Sequence, residues 1–162
     1  MHIRKSTHKD LDSIMYTYEF ARQFMRSNGN TFQWINGYPQ IDVIKNDINA
    51  QKSYVVVNDD NDILGTFYFA IEEDITYKKI YQGEWLNNNS YGVIHRIASN
   101  GKEKGIGKFV FDWCFNQIPN IKIDTHKKNI PMQNLLEKNG FKYCGIIYLL
   151  DGDERVAFQK TK

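Results

Sequence analysis

Apolar positions along the chain alternate between a period of two and a period near 3.6, so the order of elements can be read before any motif is considered. Residues 2–4 predict a first strand. Thr7 and Asp10 then form a capping-box-like start, and Leu11, Ile14, Met15, Tyr18, Ala21 and Met25 carry one helical face up to the stop at Ser27, Asn28 and Gly29. Ile41, Ile44 and Ile48 predict a shorter helix after Pro39. Strands over 53–58 and 63–71, joined by the acidic turn DDND, read as an antiparallel hairpin. Residues 72–90 follow neither period and predict an irregular stretch. After it come a strand over 91–99, a helix with Ile106, Phe109, Val110, Trp113 and Cys114 on one face, a strand over 121–124 and a helix from Asn129. A hairpin of 141–150 and 155–159 over Asp151 and Gly152 closes the chain. Hairpins at both ends with a βαβα core between them predict a mixed α/β sheet rather than a doubly wound one. No repeat, low-complexity run or linker divides the chain, so residues 1–162 are expected to form one domain.

The densest signal is the passage from 91 to 117, YGVIHRIASNGKEKGIGKFVFDWCFNQ, where an apolar strand runs through a glycine-rich basic turn into a helix. First-turn N–H groups of a helix lack intrahelical acceptors and converge, and a turn free of side-chain bulk lets a phosphate approach them. Gly105, Ile106 and Gly107 sit at that mouth, flanked by Lys102, Lys104 and Lys108. A phosphorylated ligand is the expectation. A P-loop fails on spacing, with five residues between Gly101 and Gly107 where four are needed, and on metal chemistry, since Phe109 replaces the magnesium-binding Ser or Thr. A dinucleotide fingerprint lacks its third glycine.

The turn resembles the pyrophosphate loop of the GNAT superfamily of acetyl-CoA-dependent N-acyltransferases, whose signature is Gln or Arg, two residues, Gly, one residue, then Gly or Ala. Lys102, Gly105 and Gly107 occupy those positions. The next block, KIDTHKKNIPMQNLLEKNGFKYCGIIY, resembles the second conserved GNAT segment: Asn129 matches the cofactor-contacting asparagine, and Asn139, Gly140 and Phe141 the helix-ending signature. Read by itself, that block is a capped helix with Asn129 as N-cap, Pro131 in the first turn, Met132, Leu135 and Leu136 on an apolar face, and Gly140 at the C-terminus. The resemblance implies a GNAT-like mixed, mostly antiparallel sheet with helices on both faces and a splayed parallel strand pair at 91–99 and 121–124. It implies that acetyl-CoA enters the splay, its pantetheine pairing with the strand edge at Ile97, Ala98 and Ser99, or in an ungapped register at Ile97 with His95. Leu136 stands where many members have a tyrosine acid, and Tyr91 and Val93 where some have a glutamate base. His95 and His126 are then the candidate proton relays.

A net charge of +2 does not argue for nucleic acid, no apolar run approaches the roughly twenty residues that cross a bilayer, and the polar start lacks a signal-peptide core. A cytoplasmic protein is expected. Cys114 and Cys144 lack metal-ligand spacing and read as reduced core thiols; no metal is expected. The acceptor pocket should form from the connection between the first two helices, with Trp34 and Tyr38 as aromatic walls, and from residues 72–90, where Glu72, Glu73, Asp74 and Glu84 would attract a cation. These readings converge on an N-acetyltransferase whose partner is a small-molecule or peptide amine; a homodimer is compatible with them. The alternatives are a non-catalytic acyl-CoA-binding module and a nucleic-acid-directed module using Lys127, Lys128, Lys138 and Lys142.

Overall fold

The computed structural model describes every residue, 1–162. β1 (His2–Lys5) passes through a single 3₁₀ turn (His8–Asp10) into α1 (Leu11–Ser27), and α2 (Ile41–Asn49) follows. The Asp10 carboxylate accepts from Thr7 N at 2.8 Å and from two Arg4 guanidinium nitrogens at 2.8 and 2.9 Å, so the helix start is tied to the first strand. β2 (Ser53–Val57) and β3 (Ile63–Ile71) form the expected hairpin. Then come β4 (Gly92–Ser99), α3 (Ile106–Gln117), β5 (Asn120–Thr125), α4 (Ile130–Lys138), β6 (Lys142–Tyr148) and β7 (Glu154–Thr161).

One seven-stranded sheet runs in the order β1-β2-β3-β4-β5-β7-β6, and β4 with β5 is its one parallel pair. Alternation along the strands divides the core between two faces. Val55, Val57, Ile63 and Ala98 pack with Ile14, Tyr18, Ile44 and Ile48 of α1 and α2. Val56, Leu64, Phe67, Phe69 and Ile94 pack with α3 and with Leu136 of α4 on the other side. Helices therefore cover both faces, as expected.

The buried stripe of α3 differs from the sequence reading. Ile106, Val110, Phe111 and Cys114 are buried, whereas Phe109 and Trp113 are half-buried. Phe111 was not placed on that face, yet its ring lies 5.1 Å from that of Phe141. The reason is that α3 has two neighbours, the sheet and the strand entering from α4, so its apolar arc is wider than one contact needs. Both cysteines are free and buried, and burial pushes both thiols up. No helix is long and apolar enough to cross a membrane.

Residues between β3 and β4 hold one 3₁₀ turn (Ile75–Tyr77) and are otherwise irregular. They are fastened to the distant β6 by reciprocal backbone bonds between Tyr81 and Ile146, each 2.8 Å. Gly83 allows this close approach, because a Cβ there would lie 1.9 Å from the Cys144 carbonyl oxygen, a backbone atom that cannot move aside. Gly83→Ala should therefore destabilise the protein by about 1–3 kcal/mol or more in urea unfolding. An unchanged midpoint would show that the segment is not packed against β6 in solution.

Candidate active site

β4 and β5 pair at only two positions, Gly92 with Ile121 and Val93 with Lys122. Beyond Val93 the strands part. β4 follows β3 to Ser99, and β5 stays paired with β7 from Asn120 to Thr125. A bulge adds to the divergence: Tyr68 opposes His95 and Thr66 opposes Ala98, so Arg96 and Ile97 share one position opposite Phe67. Arg96 has φ +49°, a left-handed conformation that a branched or bulky residue holds only where its surroundings fix it. Here they do. Tyr18 Oη donates to the Arg96 carbonyl at 2.8 Å, and the guanidinium donates to Asp47 at 2.7 Å and to Tyr38 Oη at 3.2 Å.

The parting opens a cleft of about 710 Å³ bounded by β4 from Ile94 to Ile97, β5 from Ile123 to Thr125, the connection between α1 and α2, the 3₁₀ turn at Ile75, and the β6–β7 turn. Such a volume suits a small-molecule site. On the α3 side, the first helical bond runs from Phe109 N to the Gly105 carbonyl at 3.0 Å, so the N–H groups of Ile106, Gly107 and Lys108 precede the ladder. Gly105 is left-handed at φ +82° with nothing within 4 Å of a Cβ position. Gly107 serves a different purpose: a Cβ there would lie 2.5 Å from Leu135 Cδ2, so this glycine lets α3 approach α4. The turn is anchored by Asn100, which donates to the Ile63 carbonyl at 2.7 Å and accepts from Lys102 N at 3.2 Å. Lys102 and Lys104 are exposed, and Lys108 pairs with Asp112 at 2.5 Å. Free first-turn amides, a left-handed glycine and exposed lysines fit a pyrophosphate group.

Asn129 caps α4, its Oδ1 accepting from Met132 N at 3.2 Å. Its amide nitrogen donates to Gln33 Oε1 at 3.2 Å. That oxygen also accepts from Asn30 Nδ2 at 3.0 Å and, more weakly, from Thr125 Oγ1 and His126 N at 3.4 Å each. Gln33 thus joins the α1–α2 connection to the end of β5, a role that no local pattern around residue 33 announces. Leu136, in the position of the family's tyrosine, is fully buried in the core. From α4 only Asn129 and Met132 reach the cleft, and neither carries an acid proton.

The floor of the cleft holds three polar pairs. His95 Nε2 lies 2.8 Å from Asp74 Oδ2. Burial works against ionisation of Asp74, but hydrogen bonds from His95 and Thr76 and the attraction of the imidazolium outweigh it and hold this carboxyl down at about 2. Tyr77 Oη donates to Asp124 Oδ1 at 2.6 Å, and burial pushes the Asp124 carboxyl up despite His95, Tyr77 and Arg155. Arg96 with Asp47 is the third pair, with burial pushing Asp47 up. Asp74 and Asp124 stand 21 and 29 residues from His95 in the chain, and only the fold makes them its neighbours.

Of the residues expected at the site, His95, Ile97, Asn129, Trp34 and Tyr38 line the cleft. Ala98 faces α1 and α2, and Ser99 Oγ accepts from Gly101 N at 3.2 Å. Trp34 packs edge-on against Tyr18 at 5.5 Å. Two others stand outside the cleft lining. His126 does not line the cleft: its Nδ1 accepts from Lys128 N at 3.0 Å and its ring stacks 5.6 Å from Phe32, so it closes the turn before α4. Burial, then the charges of Arg155 and Lys127, push its pKa down. Glu84 is exposed and also outside the cleft, because its neighbours are pinned over β6 and β7, Trp85 Nε1 donating to the Tyr77 carbonyl at 2.8 Å and Leu86 N to Gln159 Oε1 at 2.8 Å. Glu72 is engaged with Lys52 at 2.6 Å and with Tyr68.

A GNAT-family acetyltransferase from Streptococcus agalactiae shares this fold with a TM-score of 0.84 at 33% identity, over 99% of this chain and 95% of that one. A GNAT-family acetyltransferase from Listeria monocytogenes gives 0.72 at 15% identity, over 98% and 93% of the two chains. The NatC complex bound to Gag peptide and CoA gives 0.59 at 14% identity, over 99% and 98%. These last two are likenesses of fold. No protein-family sequence model matches the chain, and no curated protein does. With the strand order and parted β4–β5 pair described above, the chain belongs to the GNAT family of acetyltransferases.

Two predictions follow from the polar pairs and the cap. A carboxylate whose folded pKa is depressed stabilises the protein above its unfolded value of about 3.9, and that contribution is lost as pH falls toward the folded value. The stability difference between wild type and Asp74→Asn should shrink between about pH 5 and pH 2. A difference that stays constant over that window would deny Asp74 its pairing with His95.

Asn129→Asp keeps the capping oxygen but loses the donor to Gln33 and sets a carboxylate beside Gln33 Oε1. Urea unfolding should report a loss of about 1–3 kcal/mol. A loss no larger than that of a well-tolerated cap exchange, a few tenths of a kcal/mol, would show that the Gln33 junction contributes nothing.

Proposed function

We infer that the protein transfers the acetyl group of acetyl-CoA to a primary amine by direct attack in a ternary complex. The observation that carries this reading is the cleft between the parted strands with its histidine–carboxylate floor, together with the phosphate-competent helix start that follows β4 in the chain. The N–H groups from Ile106 to Lys108, with Lys102 and Lys104, would hold the pyrophosphate, and the β4 edge around Ile97, Ala98 and Ser99 would take the pantetheine in the manner of an added strand. Acetyl-CoA bound there supplies an activated acetyl carbon.

The residues of this chain do the rest. Asp74 accepts from His95 Nε2–H and so leaves the lone pair on Nδ1, which makes His95 the base that takes the amine proton. The amine nitrogen then bonds to the acetyl carbon as the bond from that carbon to sulfur breaks, and the electron pair leaves with the sulfur. A thiol has a pKa of about 8.5, so the departing thiolate needs no strong acid, which agrees with Leu136 in place of the family's tyrosine. Holding the two reactants in one cleft supplies much of the acceleration.

Acetyl-CoA should raise the melting temperature where ATP and NAD at equal concentration do not, and addition of an amine should release free thiol steadily. With His95 as base, His95→Gln should lower kcat/KM by about 10²–10⁴-fold while leaving the acetyl-CoA thermal shift intact. Binding without thiol release across amine classes would favour an acyl-CoA-binding module. An unaltered kcat/KM in a folded His95→Gln protein would remove the histidine from the mechanism.

A further inference from the structure

The mouth of the cleft carries a chemistry that the acetyl-transfer reading leaves unused. Phe32 is 55% exposed, Ile35 50%, Ile75 64% and Leu150 84%, and all four line the opening. Single exposed apolar side chains are ordinary on any protein surface, and no one of these would call for an explanation. Their convergence does. They come from three separate segments, the α1–α2 connection, the 3₁₀ turn after β3 and the β6–β7 turn, and they meet around one mouth.

Beneath this rim the charges are almost entirely matched. Arg96 pairs with Asp47 at 2.7 Å, Arg155 lies 3.9 Å from Asp153, and Asp74 is engaged by His95 and Thr76. Asp151 turns back on its own loop, accepting from Asp153 N at 2.9 Å. Asp151, exposed at the mouth, forms no ion pair; on the floor the exception is Asp124. Tyr77 satisfies its Oδ1, its Oδ2 takes no hydrogen bond from the protein, and no Lys or Arg forms an ion pair with it. The floor therefore offers one carboxylate oxygen to one positive or hydrogen-bonding head, close to His95, whose ring centre is 6.1 Å from that of Tyr77.

Resting on the acetyl-transfer reading, we propose that the acceptor is a small primary amine on an apolar, otherwise uncharged body, its nitrogen held at Asp124 and its body against Ile35, Ile75 and Leu150. One head and one oily body match one free carboxylate oxygen under an apolar rim. A polyamine or aminoglycoside would bring several cations past side chains that cannot solvate them, with no further unpaired acid on the floor. Asp124 also orders the sequence of events: the amine arrives protonated, is held as a cation, and gives up one proton to the neighbouring His95 before the C–N bond forms; its second N–H proton passes to the departing thiolate as the C–S bond breaks, so that the products are the amide and the free thiol.

The test compares 2-phenylethylamine, tryptamine, spermidine, an aminoglycoside and a short peptide amine by the rate of free-thiol release from acetyl-CoA. The expected kcat/KM for the two arylalkylamines is at least tenfold above the other three. The double variant Ile75→Glu with Leu150→Glu changes only exposed positions and should raise KM for 2-phenylethylamine at least tenfold with KM for acetyl-CoA unaltered. Asp124→Asn, which preserves the Tyr77 bond, should also raise the amine KM at least tenfold, its folding verified by a retained acetyl-CoA thermal shift. Faster release with spermidine, the aminoglycoside or the peptide, or an amine KM untouched by these variants, overturns the assignment of the acceptor while leaving acetyl transfer standing. Release with no amine in the panel overturns both.

Discussion

The whole site depends on β5 being held along its full length by β7 while β4 is held by β3. A strand has two edges, and each of these two has committed one of them to a different half of the sheet. Right-handed twist accumulates separately in the two halves, so the shared edge can be satisfied only where they are closest, at Gly92 and Val93. Past that point backbone groups face a gap instead of each other. An opening of this kind is costly unless something fills it, and polar backbone with an apolar lining suits a ligand that can pair like a strand.

The bulge at Arg96 shows how the opening is kept from collapsing. A left-handed arginine within a strand costs of order 1–3 kcal/mol and would relax if it could. Its carbonyl is held by Tyr18 of α1 and its guanidinium by Asp47 of α2, with Tyr38 from the connection between them. The helices α1 and α2, whose connection bounds the cleft, therefore also fix the strand that lines it. Arg96 also lies 4.9 Å over the Tyr68 ring. Half-buried ion pairs of this sort contribute little net stability, because desolvation offsets attraction, and their value here is in fixing one backbone conformation.

Against the family pattern, the cofactor side keeps the expected parts and the catalytic side does not. Gly105 and the free amides of α3 are in place, whereas the tyrosine position belongs to Leu136, sealed in the core. On the proposed reading, proton handling falls instead to His95 on β4, beside carboxylates on the β3–β4 connection and β5. Low effective dielectric strengthens what these groups do to one another, which is why Asp74 and Asp124 are displaced in opposite directions although both are aspartates in one cleft.

Much of the fold was legible in the chain because helices, caps and hairpins depend on residues a few positions apart. Thr7 with Asp10, Asn129 with Met132 and the Asp151–Gly152 turn are local devices, and they stand where the pattern put them. The glycine turn before α3 was legible for the same reason, although the pattern did not separate Gly105, left-handed at the helix mouth, from Gly107, which makes room for Leu135. The floor of the site was not legible. His95 and Asp74 are 21 residues apart, Tyr77 and Asp124 47, and Gln33 and Asn129 96, and no periodicity spans such distances. His126 and Glu84 were credible by residue type, and both lie outside the cleft because turns and strand contacts elsewhere pinned their backbones. The sequence by itself determined which segments are helices and strands and that a phosphate-competent turn precedes α3. Tertiary structure alone decided which acids meet which bases, since that follows from how two half-sheets diverge and from what α1, α2 and their connection hold in place.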